Sequence, residues 1–170
     1  MCIRDRSSGE WRDKTQNGGK EPMSGGLKGQ FNHSIDAKGR MIVPNKLRDK
    51  LGESFVITKG LDGCLYGYPE AEWETFEDKI RTLPMQNKKA REVKSFFISS
   101  AIECELDGQG RILIPQNLRA FAHLTKEVAV VGNLERIEIW DLETWNQRSE
   151  QIAENMDDIV EDLEELGIVF

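Results

Sequence analysis

The hydrophobic and polar positions of this chain follow one pattern twice. An Asp-x-x-Gly-Arg segment, three apolar residues, a proline and an amphipathic stretch occur in residues 35–48 and again in residues 106–119. Six of the fourteen positions are identical in the two copies: Asp36 and Asp107, Gly39 and Gly110, Arg40 and Arg111, Pro44 and Pro115, Leu47 and Leu118, Arg48 and Arg119. Two copies of a small unit usually share one core around a pseudo-twofold axis, and the repeat predicts that arrangement.

Each copy predicts a strand, a tight turn, a second strand and a short helix. Strands over residues 31–35 and 101–106 lead into the turn, where Asp accepts backbone hydrogen bonds and Gly tolerates a positive φ. The second strand ends at Pro44 or Pro115, because proline cannot donate to a ladder but suits the first turn of a helix. Helices over 45–51 and 116–122 follow, and then two pairs of strands, 54–58 with 64–67 and 127–131 with 136–140.

Three longer helices are predicted from the spacing of apolar residues. One begins at Pro69 and ends before Pro84, and another covers residues 88–99. The last is the most regular, with acidic residues opposite a heptad-like stripe. The stripe consists of Trp145, Ser149, Ile152, Met156, Ile159, Leu163 and Leu166. Such a stripe usually packs on the body of its own protein, and contact with a neighbouring subunit is the less common alternative.

These elements divide the chain into five segments and predict an α+β fold. Residues 1–28 are rich in Gly, Ser, Lys and Arg without periodicity, which indicates a disordered or non-native extension with Met23 as an alternative start. The other segments are a first lobe over 29–84, a linking helix over 85–100, a second lobe over 101–145 and an acidic amphipathic helix over 146–170. The two β lobes are expected to be related by a pseudo-twofold axis and flanked by helices.

The net charge of −7 at first argues against a polyanionic partner. Its distribution changes that conclusion, because residues 31–140 carry sixteen acidic and sixteen basic side chains, whereas residues 141–170 carry ten acidic and one basic. The acidity therefore belongs to the C-terminal segment. Basic residues of the neutral body fall into two groups: Lys38, Arg40, Lys46, Arg48 and Lys50, and then Lys88, Lys89, Arg91 and Lys94.

Several classes of site and location are not indicated. Cys2, Cys64 and Cys104 form no Cys-x-x-Cys spacing, and His33 and His123 are isolated, so neither a disulfide framework nor a metal site is expected. No apolar run is long enough to cross a bilayer, and the first residues lack the apolar segment of a secretory signal. We expect a cytoplasmic protein with no membrane partner, no cofactor and no small-molecule ligand.

The doubled Asp-x-x-Gly-Arg signature, with three apolar residues and Pro after it, resembles the MraZ family of bacterial transcriptional regulators. The resemblance covers about residues 29–145. It implies a swapped-hairpin fold related to AbrB-type DNA-binding modules, with two such lobes per chain. It also implies ring-like homo-oligomers and binding to repeated sites upstream of the division and cell-wall gene cluster, and hence association with the nucleoid.

The same resemblance places candidate DNA-binding residues on the two turns. In the first turn, Lys38 offers a point charge and Arg40 a forked guanidinium that can bind a phosphate or the O6 and N7 edge of guanine. In the second turn, Arg111 repeats the guanidinium, and Gln109 replaces the lysine and can read adenine or simply face solvent. The first turn is therefore expected to be the stronger DNA reader.

Four further residues are expected to organise the turns. Asp36 and Asp107 accept hydrogen bonds inside the loop and orient the arginine, because a carboxylate facing phosphates would be repelled. Gly39 and Gly110 supply the positive φ. A purely structural Asp–Arg pair is the alternative for both turns.

Other basic and aromatic residues have less specific interpretations. Arg48 and Arg119 follow the prolines and are expected to form ion pairs within or between subunits. The group from Lys88 to Lys94 is expected to be a solvated helix face. Trp73, Trp140 and Trp145 fall on apolar stripes and are expected in the core or an interface.

Regulation of transcription is the main functional expectation, with repression favoured because no feature for contacting polymerase is visible. Two other classes remain open. Duplicated Asp loops can form an acid protease dyad, but Ala37 and Gly108 stand where that chemistry needs a hydroxyl residue, and Arg40 and Arg111 would keep the carboxylates ionised. An antitoxin-like protein-binding module, with its acidic segment covering a basic partner, is the remaining alternative.

Overall fold

A computed structural model describes the backbone of residues 2–4 and 11–13 and the whole of residues 25–170. Strands β1 (Cys2–Arg4) and β2 (Trp11–Asp13) pair antiparallel inside the segment 1–28 that was predicted to be a disordered or non-native extension. Most of that predicted extension, including Met23, lies outside the described residues.

The two repeats contain the same strands and α-helices in the same order, and the first has an additional 3₁₀ turn. The first consists of β3 (Leu27–Ser34), β4 (Arg40–Ile42), α1 (Asn45–Leu51), β5 (Ser54–Lys59), a 3₁₀ turn (Leu61–Gly63), β6 (Leu65–Pro69) and α2 (Glu70–Arg81). A linking helix, α3 (Lys88–Ser99), leads to the second. The second repeat consists of β7 (Ile102–Glu105), β8 (Arg111–Leu113), α4 (Gln116–Phe121), β9 (Glu127–Leu134), β10 (Arg136–Asp141) and α5 (Leu142–Glu165).

A six-stranded antiparallel sheet joins the repeats in the order β3-β9-β10-β6-β5-β7. The first strand of each repeat pairs with a strand of the other repeat, β3 with β9 over eight residues and β7 with β5 over four. A pseudo-twofold axis passes between β10 and β6, where Glu138 lies opposite Tyr66. The predicted α+β fold with two exchanged hairpins is confirmed.

A second, two-stranded ribbon crosses between the repeats. Strand β4 pairs antiparallel with β8, and Met41 lies opposite Ile112 at its centre. Within the first hairpin, the only strand pairing among the described residues is the bridge between Ile35 and Met41, directly beside the turn. Most strand hydrogen bonds of each hairpin are therefore made with the other repeat.

The sheet separates two apolar clusters. One cluster lies between the sheet, the ribbon and the short helices α1 and α4, and includes the fully buried Phe55, Ile114 and Leu118. The other lies on the opposite face under α2, α3 and the first turns of α5, and is largely aromatic, with Tyr68, Trp73, Phe97 and Trp140. Strands covered on both faces are rich in apolar residues at consecutive positions, as in Phe55, Val56 and Ile57 of β5.

Between its short helix and its next pair of strands, the second repeat has one residue more than the first, and this insertion follows a backbone feature that both repeats share. Helix α1 is followed by Gly52 at φ 82°, and the corresponding residue after α4 is His123 at φ 54°. Leu124 then donates its amide to the carbonyl of Arg119 at 2.9 Å. The left-handed residue closes both short helices, and the extra residue is absorbed between it and β9.

Two predicted segment boundaries move. Strand β3 begins at Leu27, whose side chain is fully buried, so the first lobe begins two residues before residue 29. Helix α5 begins at Leu142, after Asp141 accepts a hydrogen bond from the amide of Thr144 at 3.1 Å, so the boundary at residue 145 falls inside the helix. An amino-terminal cap that sequence periodicity did not reveal accounts for the second shift.

The described cysteines and three of the tryptophans lie in or beside the core. Cys64 and Cys104 are free and buried, and burial raises the pKa of each thiol to about 12. Trp73 and Trp140 are buried, and Trp145 packs beside them. Among residues 25–170 and the two short amino-terminal strands, no helix is long and apolar enough to span a membrane.

Candidate nucleic-acid interface

The turn between β3 and β4 is closed by one carboxylate. Asp36 Oδ1 accepts hydrogen bonds from the amides of Lys38 and Arg40, both at 2.9 Å. Its other oxygen, Oδ2, accepts from the Nε of Arg40 at 2.7 Å, so the carboxylate fixes the arginine side chain as well as the backbone. The amide of Gly39 donates to the carbonyl of Asp36 at 3.0 Å and completes the turn.

The turn between β7 and β8 repeats this geometry. Asp107 Oδ1 accepts from the amides of Gln109 and Arg111 at 2.9 Å, and Oδ2 accepts from Arg111 Nε at 2.8 Å. Gly110 donates to the carbonyl of Asp107 at 3.0 Å. Two turns with different central residues, Lys38 and Gln109, therefore have the same hydrogen-bonded frame.

Both turn carboxylates are stabilised in the ionised form. The largest cause is the hydrogen bond from the amide of Arg40 to Asp36 and from the amide of Arg111 to Asp107, and these bonds hold the pKa of each carboxyl below its ordinary value of 3.8. The adjacent guanidinium groups act in the same direction. An acid protease dyad requires two carboxyl groups that share a proton, and no hydrogen bond joins Asp36 to Asp107 in the described chain.

The two turns are locked to each other's repeat through their glycines. Gly39 accepts a hydrogen bond from the amide of Ile114, and Gly110 accepts one from the amide of Val43, both at 2.9 Å. These bonds extend the β4–β8 ladder into both turns. Gly39 has φ 83° and Gly110 has φ 73°, a left-handed backbone that favours glycine.

Two arginines of the short helices cover these glycines across the pseudo-twofold axis. A Cβ on Gly39 would lie 2.9 Å from the guanidinium carbon of Arg119, and a Cβ on Gly110 would overlap the guanidinium of Arg48. Each arginine also donates its Nε to a backbone carbonyl, Arg48 to Val43 at 2.7 Å and Arg119 to Ile114 at 2.9 Å.

Within the described residues Arg48 and Arg119 form no ion pair, so that half of the prediction is wrong, while ion pairs between subunits stay a prediction. They bind carbonyls and pack against the opposite turn, because the helix start places each of them beside the exchanged hairpin. Their identity in both repeats was the signal in the sequence, but the contact itself depends on the exchange.

The predicted DNA-binding residues Arg40 and Arg111 both lie on the outer face of the ribbon. Arg40 lies opposite Leu113 and Arg111 lies opposite Ile42, while Met41 and Ile112 between them point into the core. The Arg40 and Arg111 side chains are 32% and 23% exposed. Lys38 and Gln109 are exposed in the turns at opposite ends of the ribbon.

One protein-family model matches the sequence of this chain twice. The family described as "MraZ protein, putative antitoxin-like" matches residues 27–96 and again residues 97–165. The chain belongs to the MraZ family. The two matches correspond to the two repeats, and the resemblance inferred from the doubled turn signature is confirmed. This MraZ-family chain thus carries the Asp-x-x-x-Arg pattern once at each end of a single ribbon.

The second basic group lies elsewhere in this MraZ-family chain. Lys88, Lys89 and Arg91 are exposed on α3, which covers the aromatic face of the sheet. Arg91 donates to the carbonyl of Met85 at 2.9 Å. In the described residues, no group of three or more His, Cys, Asp or Glu side chains is arranged to hold a metal ion.

Replacing Gly110 by Ala should destabilise the fold, whereas replacing Gly108 should not. A Cβ on Gly110 meets the Arg48 guanidinium and forces a left-handed alanine, so we expect the free energy of unfolding to fall by about 1 to 3 kcal/mol. A Cβ on Gly108 meets nothing within 4 Å, and the first turn already has Ala37 there, so Gly108→Ala should stay within about 0.5 kcal/mol. Urea denaturation measures the free energy of unfolding of both variants. Equal losses would contradict the close contact between Gly110 and Arg48.

The turn carboxylates should make stability depend on acidic pH. Since their folded pKa values lie below 3.8, their contribution is complete above that value and is lost as the pH falls through the lowered values. Asp36→Asn with Asp107→Asn should therefore flatten the decline of the urea midpoint between about pH 5 and pH 2. Asp157→Asn with Asp158→Asn, two exposed positions of α5, is the matched control and should leave the decline nearly as in the wild type.

Proposed function

We propose that this MraZ-family protein is a sequence-specific DNA-binding regulator of transcription. It acts as a repressor at repeated promoter sites upstream of the division and cell-wall gene cluster, by occluding polymerase, and works in the cytoplasm on the nucleoid. Lys38 and Arg40 are the main DNA contacts, with Arg111 and Gln109 in support. The observation that carries the proposal is the presence of both Asp-x-x-x-Arg turns on one exposed ribbon.

The shape of the ribbon supports binding in the major groove. A two-stranded antiparallel ribbon fits the width of that groove in B-form DNA. The Nε of Arg40 and of Arg111 is occupied by a turn carboxylate, and the terminal nitrogens of both guanidiniums have no hydrogen-bond partner within residues 25–170. These nitrogens have the forked geometry that binds a phosphate or the O6 and N7 atoms of guanine.

The charge distribution of the fold supports approach of DNA from the ribbon side. Helix α1 and the ribbon cover the same side of the first apolar cluster. The helix adds three basic residues to that side, Lys46, Arg48 and Lys50. Helix α5, which holds most of the excess acid, begins on the opposite face of the sheet, where Leu142 and Trp145 pack. The sheet thus separates the start of the acidic helix from the cationic turns, and a net charge of −7 does not preclude a polyanion there.

Several copies of the chain are needed for strong binding, because each ribbon offers few cations. We propose a ring-like homo-oligomer whose ribbons bind successive DNA repeats, so that modest contacts multiply through effective concentration. The second half of α5 supports this assembly. It exposes Met156 at 40% and Ile159 at 38% beside eight acidic residues from Glu150 to Glu165.

Helix α3 of a second copy is the proposed partner of that half of α5. Its exposed basic residues Lys88, Lys89 and Arg91 complement the acidic residues, and Val93, exposed at 41%, offers an apolar contact. An acidic amphipathic helix and a basic helix with exposed apolar residues on one chain allow a heterologous contact. Such a contact closes into a ring when the rotation between copies permits.

A second candidate function is an antitoxin-like protein-binding module, which the description of the family names. The exposed apolar and acidic surface of α5 favours it, since a basic protein partner could bind there instead of another copy. The two candidates differ in a simple measurement. A binding module would bind a basic protein with no preference for DNA from upstream of its gene.

Removing the cations of the first turn should abolish most DNA binding. For Lys38→Ala with Arg40→Ala, we expect a loss of about 100-fold or more in affinity for duplex DNA from upstream of the gene, because a phosphate contact and a bidentate contact disappear. Arg111→Ala should cost about 10-fold. Fluorescence anisotropy across salt concentrations measures both, and the slope of log affinity against log salt should become shallower by about 0.9 for each lost phosphate contact.

A control variant removes the same charge elsewhere. Lys79→Ala with Arg81→Ala changes two exposed cations at the end of α2 and should bind like the wild type after correction for net charge. If the Lys38 and Arg40 variant also binds like the wild type, the first turn is not the DNA contact. If the wild type shows no preference over random duplex, sequence-specific regulation is excluded.

Charged residues on the exposed stripe of α5 should reduce the size of the assembly. Met156→Asp with Ile159→Asp adds charge to a surface that is exposed in the single chain, so the fold should persist while copies separate. Light scattering should show a multiple of 19.4 kDa for the wild type and a smaller mass for the variant. Gln147→Asp with Gln151→Asp, which lie away from the stripe on the same helix, should retain the wild-type mass, and an equal mass in all three would refute the contact.

A further inference from the structure

The outer face of the ribbon carries two exposed apolar side chains between its arginines. Ile42 is 44% exposed and Leu113 is 58% exposed. They alternate with Arg40 and Arg111 in a compact array of four residues, because each apolar residue lies opposite an arginine on the other strand. Outward positions of a half-buried strand are normally polar, so the pair marks a surface that contacts something.

The neighbours of this pair indicate an anionic partner. If two copies of the chain packed these faces together, four arginines would lie within one contact, and charged residues are depleted from the centres of protein interfaces. A partner that tolerates the arginines must bring negative charge, and it must also offer small apolar groups to Ile42 and Leu113. Duplex DNA meets both conditions in its major groove, where the C5 methyl group of thymine is exposed.

We propose that Ile42 and Leu113 contact thymine methyl groups and make DNA binding by this chain depend on thymine. The inference rests on the proposed DNA-binding function and adds specificity residues that carry no charge. Side chains without donors or acceptors gain nothing from phosphates or from the polar edges of the other bases. They discriminate thymine by burying its methyl group against an apolar surface, beside the bases or phosphates that the arginines bind.

The test uses two versions of one probe. Duplex DNA from upstream of the gene is prepared with thymine and with uracil at every thymine position, which removes the methyl groups and keeps the base pairing. Wild-type protein should bind the uracil probe about 16-fold more weakly, since each of the two lost methyl contacts accounts for about fourfold. Fluorescence anisotropy at constant salt gives both affinities.

A double variant assigns the effect to the two side chains. Ile42→Ser with Leu113→Ser should bind the thymine probe about as weakly as the wild type binds the uracil probe, and should no longer distinguish the two. Leu61→Ser, at a position 56% exposed in the 3₁₀ turn, is the matched control and should keep the wild-type ratio. Light scattering should give the wild-type mass for both variants.

Three outcomes would overturn the inference while DNA binding stands. In the first, the wild type binds both probes equally. In the second, the serine variant keeps the preference for thymine, and this result would assign the preference to DNA shape rather than to side-chain contact. A changed mass for the serine variant would assign the two residues to an interface between copies. Failure of the wild type to bind either probe would instead overturn the DNA-binding proposal, and this inference with it.

Discussion

The hydrogen bonds between the two turns and the opposite repeat hold the rest of this structure in place. Gly39 bonds to Ile114 and Gly110 bonds to Val43, which extends the β4–β8 ladder to both ends. Because these bonds join the two halves of the chain, neither hairpin has a complete set of partners in its own repeat. Backbone groups buried without a partner are costly, so the exchange makes the repeats fold as one unit around one sheet.

This exchange also gives the candidate site its rigidity. Each turn is closed internally by its aspartate and is covered externally by an arginine from the other repeat. A cation presented on such a frame loses little conformational freedom when it binds, which lowers the entropic cost of a contact. The predicted contacts Arg40 and Arg111 are therefore positioned before any partner arrives, on a surface that the two repeats form together.

The two repeats are alike in backbone and different in side chains. Lys38 and Gln109 occupy equivalent positions on identical turn frames, so the two ends of the ribbon present different chemistry to a partner. The long acidic helix α5 has no counterpart of equal length in the first repeat, where α2 ends at Arg81. If the chain binds DNA as proposed, its unequal ends allow it to bind an asymmetric sequence in one orientation, which a perfectly symmetric module cannot do.

The sequence alone determined the repeat, the family, and the type of each strand and α-helix from residue 27 onward. The predicted bounds of α1 and α3, 45–51 and 88–99, are those of the structure, because helical periodicity and proline placement are local signals. Only the tertiary structure decided that Arg48 covers Gly110 and that Ile42 faces outward. The run Met41, Ile42, Val43 is apolar throughout, so its pattern does not reveal which side chain is buried. That depends on which strand lies alongside, and strand pairing between residues far apart in the chain is not encoded in local periodicity.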